Sequence, residues 1–181
     1  MNRQPIEFSV LWAEALPWAT WVHPDMKNFQ LWDGIYQRYQ LPAWAAERAA
    51  RLPGLRLLAL AEDWCGDAAN SLPVIQRLVE AAPGGELRLL ARDRYPAVMD
   101  RYLVNGSRSI PIVIRLDNED DDVGHWGPRP AELQTWVLAN LHTMPSAARY
   151  AEARKWYARD RGEATLRELL QAVDPGFAAT A

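Results

Sequence analysis

Cysteine is nearly absent from this sequence. Cys65 is the single one among 181 residues, so no disulfide can form within the chain and none staples the fold. Histidine is scarce too. His23, His125 and His142 lie far apart, without the spacing of metal ligands, so neither a metal nor another cofactor is expected. Positive charge is not in excess: 20 Lys and Arg face 23 Asp and Glu, a formal net charge of -3. That balance argues against nucleic acid and against an anionic membrane surface as partners. No apolar stretch approaches the length of a membrane span. After Arg3, Glu7 and Glu14 interrupt the apolar residues, so no signal-peptide core is visible and a cytoplasmic location is expected.

What is present suits a globular chain, with 49% hydrophobic and 24% charged residues. Nine tryptophans are read as core and interface packing. Residues 6–52 read as a helical extension, cut into short pieces by Pro17, Pro24 and Pro42. Beyond the turn at Pro53-Gly54, strands and helices alternate. The apolar runs 55–61 and 87–91 read as buried strands, followed by strands at 110–116 and 123–126. Helical spacing of apolar residues spans 67–82, ended by Pro83-Gly84-Gly85. A second helix opens at Pro96 with a face of Val98, Met99, Tyr102 and Leu103, and a third opens at Pro130. The expected architecture is α/β: residues 1–52 an extension, 53–145 a domain with a mixed central sheet flanked by helices, and 146–181 a helical tail broken near Gly162. Helical crossovers between the first three strands favour parallel pairing, and the short 117–122 link favours an antiparallel hairpin. The acidic residues of that link read as a solvated turn, since they lack the pattern of a calcium loop.

The chemistry concentrates where the first strand meets its helix, at Glu62-Asp63-Trp64-Cys65-Gly66-Asp67-Ala68. A thiol at a helix N-terminus meets unsatisfied N–H groups and the positive end of the dipole, which favour thiolate. Gly66 leaves room for an approaching backbone or sulfur. Asp67 opposes thiolate formation, because a neighbouring carboxylate disfavours a second negative charge. Glu62 and Asp63 read as solvated loop charges.

Trp64-Cys65-Gly66-Asp67 resembles the Trp-Cys-Gly-Pro-Cys motif of thioredoxins. Pro73 stands eight residues after Cys65, where that family carries a helix proline, and Ser109-Ile110-Pro111 resembles the family's cis-proline loop. The sequence is closest in pattern to bacterial thioredoxin-like proteins with a Trp-Cys-Gly-Asp motif and a Trp-Gly-Pro-Arg-Pro segment, here residues 126–130. The resemblance covers about residues 50–142. It implies a thioredoxin fold, Cys65 as the attacking thiol, and a substrate-binding loop at Ser109, Ile110 and Pro111.

The departures limit what the resemblance implies. Ala68 occupies the place of the resolving cysteine, so the chain cannot act as a dithiol reductase. Ala59 stands six residues before the nucleophile position, where thioredoxins carry a buried carboxylate. Two readings remain. In the first, Cys65 performs monothiol exchange through intermolecular mixed disulfides with a protein disulfide or a low-molecular-weight thiol. In the second, the fold is a non-catalytic binding module that holds a partner segment in a groove between Trp64 and Pro111.

Overall fold

The computed structural model describes residues 6–177. Along the chain, α1 (Phe8–Glu14), β1 (Leu16–Pro17), α2 (Trp18–Trp21), α3 (Phe29–Arg38) and α4 (Ala43–Ala49) precede the strand β2 (Arg56–Ala61). There follow α5 (Gly66–Glu80), β3 (Glu86–Ala91), a tight turn of helix at Arg92–Arg94, α6 (Pro96–Met99), β4 (Ile112–Leu116) and β5 (Asp122–Trp126). The chain continues through α7 (Ala131–Ala139), α8 (Ser146–Asp160) and α9 (Glu163–Val173).

Leu57, Leu58, Ala59, Leu60 and Ala61 are all fully buried, which is why their run settles at the centre of the sheet. β2 pairs in parallel with β3, Leu58 opposite Arg88 and Leu60 opposite Leu90. On its other side β2 pairs antiparallel with β4, Leu58 opposite Ile114. β4 and β5 form the antiparallel hairpin. The strand order is β1-β3-β2-β4-β5. The result is the expected mixed sheet with flanking helices.

Two expectations need correction. The extension is not wholly helical: Leu16 and Pro17 pair with Leu89 and Arg88 as a short edge strand. Proline is tolerated there because one side of an edge strand needs no N–H donor. The third strand does not run parallel to the first. A parallel return needs a full crossover, but after β3 only one tight turn and the four-residue α6 form. The face read as Val98, Met99, Tyr102 and Leu103 therefore stops being helical at Met99, and Leu103 is exposed. The turn at Asn105-Gly106, both at positive φ, sends the chain back.

Extension, sheet and tail share one apolar core. Trp32 is fully buried, with the tilted rings of Trp18 and Trp21 packed against it at ring-centroid distances of 5.9 and 6.5 Å. Trp12 lies between the guanidinium groups of Arg56 and Arg88, 4.5 and 4.7 Å from its ring centroid. Leu166, Leu169, Leu170 and Val173 of α9 join the same cluster. Leu133, Ala153 and Tyr157 form a smaller cluster between α7 and α8. The 117–122 turn is ordered by its own carboxylates: Asp117 accepts from the N–H groups of Glu119 and Asp121, and Asp120 pairs with Arg56.

The segment 126–130 runs hard against the loop before β4. Gly127 has φ +132°, and a Cβ there would collide with the Pro111 carbonyl oxygen. The Ile110–Pro111 and Gly127–Pro128 peptides are both cis. Because the neighbour at Gly127 is backbone rather than a side chain that can swing away, Gly127→Ala should lower stability by roughly 2 kcal/mol or more. Chemical denaturation checks this, and an unchanged midpoint would contradict the close approach.

Candidate functional site

Cys65 has extended backbone and caps α5, with its sulfur accepting from the Ala68 N–H at 3.5 Å. The Sγ–H donates to the Ile110 carbonyl at 3.4 Å. The structure thus brings Cys65, Ala68 and the Ile110–Pro111 loop together. The sulfur does not stand open to solvent, since Cys65 is only 7% exposed. Burial, then the charge of Asp67, pushes its pKa from an ordinary 9.0 up to about 11. The N–H groups of Ala68 and Asp67, with Arg129, pull the other way and do not prevail. At this helix terminus the dipole argument loses to desolvation and a like charge.

Asp67 accepts three side-chain hydrogen bonds. Arg129 donates to its Oδ2 from Nη2 at 2.5 Å and from Nε at 3.1 Å. The Tyr157 hydroxyl donates to Oδ1 at 2.9 Å. Both members of the ion pair are largely buried, their side chains 15% and 11% exposed. Arg129 also donates to Gln134. Burial and the Asp67 charge raise the Tyr157 pKa well above its ordinary value, keeping the phenol protonated as a donor.

A cleft of about 510 Å³ opens beside this cluster. Trp64, 44% exposed, forms one wall, with the Arg92 guanidinium 5.1 Å from its ring centroid. Ser109 and Ile110 form the opposite wall, and Gly66 leaves open space between. Pro111 is buried behind Ile110 and does not line the cleft. The groove expected between Trp64 and Pro111 is therefore bounded by Ser109 and Ile110 instead. Ala68 is fully buried, as is Ala59 on β2.

Glu62 and Asp63, expected as solvated loop charges, are half-buried, and each accepts a backbone hydrogen bond at an exposed position. Glu62 accepts from the Asp93 N–H and Asp63 from the Lys27 N–H, at 2.8 and 2.9 Å. The Asp63 carbonyl also accepts from the Trp32 indole. The Asp63 bonds fasten the loop before Cys65 to the extension, and the Glu62 bond fastens it to the turn after β3. Arg129 and Tyr157 were not singled out from sequence as site residues. The sole signal was the Trp-Gly-Pro-Arg-Pro segment that carries Arg129; nothing marked Tyr157. Among the described residues no group of side chains is arranged to hold a metal ion, and no helix is long and apolar enough to cross a membrane.

A family model described as thioredoxin matches residues 19–154. The chain belongs to this thioredoxin family. The match begins well before residue 50, so part of the tryptophan-rich extension is a family feature. Among solved structures, the thioredoxin-like chain is similar to a protein of unknown function, PA1234, from Pseudomonas aeruginosa. The TM-score is 0.67 at 23% identity, covering 91% of this chain and 98% of that one. It is also similar to an HIV epitope-scaffold designated 4E10, with TM-score 0.70 and 21% identity over 92% and 96% of the two chains. These likenesses show the fold. Among curated proteins none matches the chain.

Replacing Asp67 removes a negative charge beside the sulfur while Arg129 stays cationic. Asp67→Asn should therefore move the pH midpoint of Cys65 alkylation downward from about 11. It should also cost about 3–5 kcal/mol by stranding Arg129. An unmoved midpoint in a folded variant would contradict the electrostatic reading. The raised thiol pKa has a second consequence. The folded state holds the Cys65 proton more tightly than the unfolded state, so this stabilisation is complete below pH 9.0 and lost as pH rises towards about 11. The stability difference between wild type and Cys65→Ala should shrink over that window in denaturation at stepped pH.

Proposed function

We propose that this thioredoxin-fold chain is a non-catalytic binding module that holds a partner segment in the cleft between Trp64 and the Ser109–Ile110 wall. The observation that carries the reading is the state of Cys65: a buried, protonated thiol that donates to Ile110 and faces a carboxylate. A thiol in this state is a small apolar surface with one hydrogen bond to give. The exposed Trp64 ring, backed by Arg92, supplies aromatic area at the cleft mouth. A cytoplasmic location suits a chain with one unpaired thiol and no disulfide.

The competing reading is monothiol exchange with a protein disulfide or a low-molecular-weight thiol. The Ala68 N–H and the nearby Arg129 favour it, because both stabilise negative charge on sulfur. Reactivity separates the two. Raising the pKa from 9.0 to about 11 leaves roughly 100-fold less thiolate at neutral pH. The greater nucleophilicity of a more basic thiolate returns about tenfold of that. With an aromatic disulfide at pH 7, the folded chain should react at least about tenfold more slowly than the same chain in denaturant. A folded chain that reacts faster than the unfolded one would reverse the choice in favour of monothiol exchange.

A further inference from the structure

The Cys65 cleft adjoins a second one of about 710 Å³, and the two share Leu31, Asn70, Arg154 and Tyr157. The second cleft lies between α3 of the extension and α8 of the tail, with Val74 of α5 at its floor. Leu31, Ile35, Val74 and Tyr39 give it an apolar lining. Its charged lining residues are Arg38, Arg154 and Arg161, with no acidic residue among them. All three arginines are exposed and none forms an ion pair among the described residues.

Among the described residues several arginines are matched to carboxylates, Arg48 to Asp174, Arg77 to Glu80, Arg108 to Asp100 and Arg129 to Asp67, while others, such as the exposed Arg51, Arg94 and Arg159, form no ion pair. Two carboxylates near the end of α8, neither of which lines the groove, have partners of their own: Asp160 accepts from the Ala164 N–H, and Glu163 accepts from Trp44 and Arg167. What sets Arg38, Arg154 and Arg161 apart is that all three line one apolar groove with no acidic residue in its lining.

We infer that the groove between α3 and α8 takes an acidic segment of a partner protein, with carboxylates seated on Arg38, Arg154 and Arg161 and apolar side chains on Leu31, Ile35 and Val74. This rests on the binding-module reading and names the chemistry of the segment bound. The extent of the site favours a peptide over a small anion: the joined clefts exceed the roughly 300–1,000 Å³ of a small-molecule pocket. The three cations come from the last residue of α3, the middle of α8 and the residue that follows α8. Guanidinium groups pair with carboxylates in planar, charge-assisted geometry, which suits glutamate or aspartate. The extension and the tail, the two parts outside the core sheet and its helices, thus supply opposite walls of the groove.

The test is fluorescence anisotropy at low salt with a short labelled peptide carrying glutamate at every third position and leucine or serine between. The glutamate peptide should bind, and its glutamine counterpart should bind at least about tenfold more weakly. Added salt should weaken the glutamate peptide selectively. Replacing Arg38, Arg154 and Arg161 together with glutamine should abolish the preference. The double charge reversal Arg154→Glu with Arg161→Glu should turn it towards a lysine peptide, which shows that a folded site was altered. Equal binding of glutamate and glutamine peptides overturns the acidic assignment while leaving the binding-module reading intact. Inorganic triphosphate held by the same arginines, with the glutamate peptide silent, overturns it in favour of a small phosphate ligand. If no peptide binds and folded Cys65 reacts rapidly with the aromatic disulfide, the inference and the reading beneath it both fall.

Discussion

The ion pair between Asp67 and Arg129 joins three parts of the chain that are distant in sequence. Asp67 sits in the first turn of α5, Arg129 in the segment that links β5 to α7, and Tyr157, which completes the cluster, in the tail helix α8. Neither charge can be removed alone without leaving the other largely buried and unmatched, a cost of several kcal/mol. The cluster is geometrically demanding as well. Arg129 reaches Asp67 only because Gly127 lets its segment pass against the Pro111 carbonyl. One backbone approach thus couples the loop before β4 to the helix terminus that carries Cys65.

The same cluster decides the chemistry of the sulfur. A thiol at a helix N-terminus usually gains acidity from the backbone N–H groups, and two of them do face Cys65. Here burial removes solvent and Asp67 adds a negative charge beside the sulfur, and together they outweigh those groups. With Ala68 in the following turn no second thiol is within the chain to resolve an adduct. The Sγ–H is instead used in a hydrogen bond to Ile110, which ties the helix cap to the cleft wall. On the proposed reading, the site serves shape and charge recognition rather than nucleophilic attack.

The fold was legible because its signals are local and strong. The apolar run around Leu57–Ala61 and the helical spacing from Leu72 to Val79 each bury what they predict. The direction of β4 was not legible, because it depends on how little helix forms between Arg92 and Ser109. Composition places a helical face at Val98 to Leu103, while the turn at Asn105-Gly106 ends it after Met99. At the site, Cys65, Trp64 and Asp67 were found from their adjacency. The partners of Asp67 were not, since Arg129 and Tyr157 lie 62 and 90 residues away and meet it only in the folded chain. Glu62 and Asp63 carry the same lesson: a loop carboxylate looks solvated in sequence, yet both anchor backbone N–H groups from other elements.

The protonation state of Cys65 bears most directly on this account. The ultraviolet absorbance of the thiolate, taken as the difference between the wild-type chain and Cys65→Ala over a pH titration, reads it without any reagent having to enter the cleft. The expected midpoint is about 11, with no thiolate signal near neutral pH. A midpoint well below the ordinary thiol value of 9.0 would contradict the account, and would make Cys65 a nucleophile stabilised by its helix terminus.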